Sequence, residues 1–306
     1  MRLLIPGGAG YIGSHMVRYA LKEGHDVTIL DDFSTGHRWA TADFEVFEVN
    51  LLDQEGLNRL LEGRSFDGVI HFAAKSLVGE SMTKPDMYFR NNIVGTMNLV
   101  EAMLKSGCQN LVFSSTAAIF GNPRAAKINE EHPKKPINPY GRSKLMGEQA
   151  IKASGCVHAI LRTSWVVSAH GNNFVKTMRR LSETRDRIPV VDDQIGGPTC
   201  ARDIAQTCLS IAEQLILNPS KTGIYHYSGQ PNVSWCQFAN AIFEQMDCKT
   251  IASPIPTTEY PTPALRPLNS RLDCGATEDT FGIARPFWEH GLEEILRDLE
   301  GEHDRA

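Results

Sequence analysis

"PGGAGYIGSH", residues 6–15, follows the short apolar run "RLLI" and precedes a stretch of helical period. It sets Gly7, Gly10 and Gly13 three residues apart at a strand-to-helix corner. Glycine there lets the chain turn tightly, lets backbone approach a pyrophosphate and lets the helix lie close to a sheet, while the helix N-terminus offers N–H groups and a positive dipole to phosphate. The loop alone also fits a plain tight turn. The end of the second strand decides between the two: "ILDDFSTG" places Asp31 about 20 residues on, where a carboxylate accepts from adenine ribose hydroxyls. Loop and carboxylate together read as a dinucleotide site. Asp31 repels a 2′-phosphate and so favours NAD(H), and Arg38 leaves NADP(H) open.

Outward from that corner, "RLLI", "DVTIL", "FEVFEV", "GVIHFA", "NLVFSS" and "HAILRT" alternate with stretches of helical length. The alternation predicts a doubly wound α/β fold, a parallel Rossmann sheet with helices on both faces, over residues 1–163. Beyond Thr163 the rhythm breaks into helices near 173–184, 203–217, 234–246 and 288–300, one strand at "GIYHYS" and the proline-rich "SPIPTTEYPTPALRP". This predicts a smaller α/β substrate lobe over 164–306, with some later segments free to return to the first domain. Proline fixes backbone angles and removes donors, so the proline-rich passage reads as an extended connection, with a flexible linker as the alternative.

With 306 residues, 42% hydrophobic and 22% charged, the chain can bury a full core. A formal charge of −5 argues against nucleic-acid or membrane-surface partners, which ask for a concentrated basic face. The seven cysteines lack C-x-x-C or zinc-type spacing and read as free thiols of a reducing cytoplasm. No acidic pair suggests a metal. The chain shows neither the apolar run of a membrane span nor a leader pattern.

The chemistry is concentrated in "NPYGRSKLMGEQ", residues 138–149, and in "FSSTAAIFG". Ser114, Ser115 and Thr116 fall at the carboxyl end of the fifth strand, where open α/β sheets place ligands. Tyr140 and Lys144 stand at i and i+4, on one helix face. A phenol with a pKa of about 10 is a poor acid–base group at neutral pH, and an ammonium within about 4–6 Å stabilises its phenolate. Lowering it by roughly three units takes about 4 kcal/mol, which Lys144 and an oxidised nicotinamide ring could supply together. Thr116 can hold the same sugar oxygen in reach of Tyr140. A lone Tyr-x-x-x-Lys is otherwise a surface pair.

These residues resemble the extended short-chain dehydrogenase/reductase family. Residues 1 to about 149 resemble its UDP-glucose 4-epimerase branch through "GGAGYIGSH", "DGVIHFAAKSLVGES", "NNIVGTMNLVEAM", "FSSTAAIFG" and "PYGRSKLMGEQ". From about 157 the chain resembles the dTDP-4-dehydrorhamnose reductase branch through "LRTSWVVSAHGNNFVKTM", "VVDDQIGGPT", "GIYHYSG" and "PIPTTEYPTPALRPLNSRL". The expectation is a mosaic, natural or engineered, with a junction near 149–157.

The resemblance implies a cofactor held around Gly7, Gly10, Tyr11, Ile12, Gly13, Asp31, Asp32, Asn50, Leu51, Ala73, Ala74, Lys75, Asn92, Ser114, Tyr140 and Lys144. Asn92 would brace the active-site helix. It implies a nucleotide-diphosphate sugar as substrate, met by Thr116, Ala117, Trp165, Asn173 and Arg266. Trp165 would form an apolar wall against the sugar, while Asn173 and Arg266 would face the diphosphate. Asn173 as a helix cap and Arg266 as a surface charge are the plainer readings. Ala117 departs from the Asp usual in reductases, Asn50 from an Asp that meets adenine, and Phe120 from the epimerase Tyr.

The implied activity is NAD(P)H-dependent reduction of the 4-keto group of dTDP-4-dehydro-6-deoxy-L-mannose. The alternatives are a nucleotide-sugar 4-epimerase with retained NAD and a non-catalytic NAD(P)-binding regulatory subunit. A homodimer through the helices near 86–106 and 140–154 is expected by the same resemblance.

Overall fold

The computed structural model describes residues 1–41 and 44–303. Six strands, β1 (Arg2–Pro6), β2 (Asp26–Leu30), β3 (Glu45–Phe47), β4 (Gly68–His71), β5 (Asn110–Thr116) and β6 (Val157–Thr163), all pair in parallel. Gly223–His226 adds a seventh strand beside β6. Their spatial order is β3-β2-β1-β4-β5-β6 followed by Gly223–His226, so the strand order reverses at β1 and β4 and opens a crevice at their carboxyl ends.

The strands read as unbroken apolar runs because helices cover both faces. Leu3 and Ile5 join Met16, Val17 and Ala20 in one cluster, whereas the intervening Leu4 joins Leu57, Leu99 and Phe113 in another. The period of two along β1 thus feeds two cores. Helix α1 (Gly13–Lys22) lies on the first face, and α2 (Gln54–Leu61), α5 (Thr96–Lys105) and α6 (Pro139–Ser154) lie on the second. Two short helices, α3 (Val78–Thr83) and α4 (Pro85–Phe89), and a π turn over Arg90–Gly95 lead into α5. Helix α6 starts cleanly because Asn138 caps the Gly141 N–H at 2.8 Å and Pro139 follows it; it stops at Gly155, whose φ is 76°.

The second lobe packs α7 (Phe174–Ser182), α9 (Trp235–Gln245) and α11 (Trp288–His303) around Val175, Phe238, Ile242, Trp288 and Leu292. Its strands are short: Arg187–Val191 pairs with Ile251–Ile255, and Ile195–Gly196 lies between Val233–Ser234 and Asn269–Ser270.

Two later segments return to the first domain. Helix α8 (Ala201–Leu217) returns to the first domain, where Ile204, Cys208, Ile211 and Leu215 fill the same cluster as α1, and Gly223–His226 extends the main sheet. A short helix, α10 (Gly275–Phe281), lies further along the chain, and its Phe281 meets Tyr225 of that returning strand.

The proline-rich passage begins within the strand Ile251–Ile255, makes one 3-10 turn at Thr257–Glu259 and continues without regular structure to Pro267. It is anchored rather than flexible. Asn138 of the α6 cap donates to the Leu265 carbonyl at 3.4 Å, and the Leu268 N–H donates to Asn122 at 2.8 Å.

Candidate active site

The glycine corner is built by close approach. A Cβ on Gly7 would stand 2.4 Å from the Ala73 nitrogen, and one on Gly13 would stand 2.0 Å from the Gly7 oxygen; Gly7 also has a φ of 81°. Only bare backbone fits there. Asp31, 7% exposed, is fixed by N–H groups of Ala9 at 3.0 Å and Phe33 at 2.9 Å. Burial pushes its carboxyl upward in pKa, and those two donors act against the shift. Arg38 is drawn aside to Glu48 at 2.6 Å and lies over the Phe33 ring at 4.2 Å.

Other residues expected around the cofactor divide by what the protein already asks of them. Asn50 donates to Asp32 at 2.7 Å, and its amide oxygen accepts from the Leu52 N–H at 2.8 Å, so the oxygen expected to meet adenine already has a partner. Leu51 is buried in the second-face core. Lys75 reaches Ser34 at 2.7 Å. Asn92 is buried in the π turn and bridges both backbone groups of Lys75, at 2.8 and 3.0 Å, to Ser143 of α6 at 2.9 Å. That unusual turn aims one side chain at two segments of the site. Tyr11 and Ile12 are half-buried at the head of α1, with the Tyr11 ring beside Gly171, and Ala73 and Ala74 are half-buried beyond β4.

At the end of β5, alternation splits three hydroxyls. Ser114 and Thr116 are half-buried, and Ser115 turns inward. Thr116 accepts from the Ala118 N–H at 3.1 Å. Ala117 is 4% exposed, and its side chain packs with Ile119, Phe120, Ile128 and Leu272.

Tyr140 and Lys144 share the inward face at the start of α6. The Lys144 ammonium lies 3.9 Å over the Phe113 ring, and its side chain is 3% exposed. Burial draws it down to about 7, with Glu148 acting in the other direction. Burial raises the Tyr140 phenol, against a smaller opposing effect from the Thr116 hydroxyl. With burial acting in that direction, the phenol keeps its proton at neutral pH. His71 beneath them is held down to about 3 by burial and Lys144, and stays neutral.

In the lobe, Trp165 takes a φ of 50° and stacks on Trp235 with centroids 3.6 Å apart and planes within 7°. Phe174 backs Trp235 at 4.5 Å. The edge of Trp165 lies against Gly196, where a Cβ would come within 2.7 Å. Asn173 is the helix cap of α7: it accepts from the Lys176 N–H at 3.3 Å and donates to the carbonyls of Ser168 and His170. Arg266 is exposed on the proline-rich passage.

Sequence reading misses Glu148 and Arg162. Glu148 lies one turn beyond Lys144 and is 2% exposed; Arg162 of β6 is 1% exposed and grips it with two hydrogen bonds, at 3.0 and 2.7 Å. A signal exists in Tyr140, Lys144 and Glu148 at successive i+4 positions, but the partner lies on another element. Among the described residues no cluster of metal-ligating side chains occurs, and no helix is long and apolar enough to cross a membrane.

The RmlD substrate binding domain family model matches residues 1–300. The dTDP-4-dehydrorhamnose reductase of Aggregatibacter actinomycetemcomitans is 33% identical over 301 residues, covering 96% of this chain and 98% of that protein. A UDP-glucose 4-epimerase from Corynebacterium glutamicum is 45% identical over 177 residues, 56% of this chain and 53% of its own length. Among solved structures, dTDP-4-dehydrorhamnose reductase from Bacillus anthracis, in complex with NADP, has a TM-score of 0.83 at 31% identity and covers 97% of this chain and 99% of its own. Thermus thermophilus UDP-glucose 4-epimerase, in complex with NAD, has a TM-score of 0.85 at 26% identity and covers 98% and 99%.

The mosaic expectation is overturned by these matches. One family model runs through the supposed junction, and structures of both enzyme types cover nearly the whole chain, so the two likenesses come from a shared fold and not from a splice. As one continuous unit, the chain belongs to the RmlD substrate binding domain family.

Proposed function

We propose that this chain reduces the 4-keto group of dTDP-4-dehydro-6-deoxy-L-mannose to dTDP-L-rhamnose with a nicotinamide dinucleotide. The observation that carries the reading is the placement of Tyr140 and Lys144 at the head of α6, beside Thr116 and at the sheet edge that also holds the glycine corner. When bound, the reduced nicotinamide supplies the hydride. Tyr140 gives its proton to the C4 oxygen as negative charge develops there, and a phenol raised by burial is in the form a donor needs. Lys144, when charged, holds the nicotinamide ribose and steadies the phenolate left behind. Thr116 orients the sugar oxygen.

Asp31 and the diversion of Arg38 to Glu48 support NAD(H) as the preferred cofactor, with NADP(H) usable. Trp165 serves as the sugar wall. Arg266 serves the diphosphate, and Asn173 shapes that edge as a cap. Two copies pair through α5, the π turn ahead of it and α6, where Val94, Met97 and Met146 are exposed apolar side chains. The free cysteines suit a reducing cytoplasm.

Epimerisation is the second reading, favoured by the 45% identity to the Corynebacterium glutamicum enzyme. Tyr140→Phe is expected to lower kcat by about 10²–10⁴ while cofactor affinity stays unchanged. A full-rate variant would remove Tyr140 from the chemistry. Stoichiometric NAD released on denaturation, with no net consumption of reduced cofactor, would replace the reductase reading by the epimerase.

A further inference from the structure

Behind the Tyr140–Lys144 face lies a buried polar group that the proposed reaction does not use. Glu148 Oε1 accepts from Ser115 Oγ at 2.5 Å and Arg162 Nε at 3.0 Å, and Oε2 accepts from Arg162 Nη2 at 2.7 Å. Arg162 lies over the Phe120 ring at 5.2 Å and spends a further donor on the Glu130 carbonyl at 3.3 Å. Each member comes from a different element: Ser115 from β5, Glu148 from α6 and Arg162 from β6.

A buried ion pair is a poor way to stabilise a core, because desolvation offsets the attraction and well-packed apolar residues do as well. Its position suggests another purpose. Ser115 is the residue next to Thr116, and Glu148 stands one helical turn from Lys144 on the same face. We infer that Glu148 is a positioning residue for Lys144: clamped by Arg162 and Ser115, it locks α6 to the ends of β5 and β6 and sets the charge balance behind the ammonium. This rests on the reading of Tyr140 and Lys144 as the working pair.

The groups facing Lys144 make Glu148 the lever. His71 of β4 is neutral at working pH, and Tyr140 keeps its proton. The turn ahead of α5 contributes uncharged Asn92 and α5 itself contributes Thr96; Glu80 of α3 is taken by Tyr88 and Lys84. Phe113 of β5 offers only a ring. Glu148 is left as the carboxylate acting on Lys144, with Arg162 of β6 behind it. Removing either member therefore exposes Lys144 to the other, and the two removals have opposite signs.

The test is the titration of Lys144 Cε by NMR in the full chain, with the resonance assigned by its loss in Lys144→Met. Glu148→Gln leaves Arg162 uncompensated and is expected to lower the Lys144 midpoint by about one pH unit or more; Arg162→Met is expected to raise it. Glu148→Asp keeps the charge and should stay near the wild type. The alkaline limb of kcat/KM is expected to move with the midpoint in each variant. Midpoints that stay put, or move in the same direction in Glu148→Gln and Arg162→Met, overturn the inference. If Glu148→Gln does not fold, the sign of the shift in Arg162→Met decides. A Tyr140→Phe enzyme that retains full rate instead overturns the underlying reading, whatever Lys144 does.

Discussion

At the glycine corner, shape is set by what is missing: a single carbon on Gly13 would fall 2.0 Å from the Gly7 oxygen, and the backbone of Ala73 crowds Gly7 in the same way. In the second lobe, shape is set by bulk: Trp235 stacks on Trp165, and Phe174, from the same stretch as Trp165, leans against the Trp235 ring. The first arrangement tolerates no side chain and is written in ten consecutive residues. The second needs partners brought together by folding. A glycine corner can therefore be read from a motif, while the Trp165–Trp235 stack takes its shape only once the two stretches meet.

Substitutions at the two places test that contrast. Gly13→Val should have the largest effect, because its Cβ has nowhere to go without moving the Gly7 peptide; NADH affinity by fluorescence titration is expected to fall more than about 100-fold, equivalent to roughly 3 kcal/mol. An unchanged affinity would mean that the corner does not hold the cofactor. Trp235→Ala removes the ring on which Trp165 rests. It should raise KM for the nucleotide sugar about 10-fold or more and lower stability by about 3 kcal/mol, yet leave NADH affinity untouched. Equal loss of both affinities would erase the distinction between the two regions. Asp31→Ala is the mildest: about a tenfold swing in kcat/KM from NADH toward NADPH, since the repelling carboxylate is gone and Arg38 has only an exposed ion pair with Glu48 and the Phe33 ring to leave.

The same contrast explains which features the sequence discloses. The six strands of the first domain and α7, α8, α9 and α11 lie close to their expected positions, because strand and helix periods are local. "GIYHYS" is recognisable as a strand, but its pairing is not; only the fold shows Tyr225 beside Leu161 at the edge of the main sheet. A motif places Asn173 and Ala117, yet their side chains are occupied by a cap and by a core. Spacing finds Tyr140 and Lys144, but the direction of their titration depends on burial, which spacing does not report. Glu148 stands in plain view one turn on, without the Arg162 that makes it informative.

The return of Gly223–His226 to β6 has a consequence for how the chain is made. Until residue 226 has left the ribosome, β6 has an open hydrogen-bonding edge, and until α8 has emerged, one face of α1 has no cover. The first half therefore gains its last strand and the cover of α1 only after the chain has run on past residue 226, and a polypeptide released near residue 163 is expected to expose the β6 edge to its neighbours.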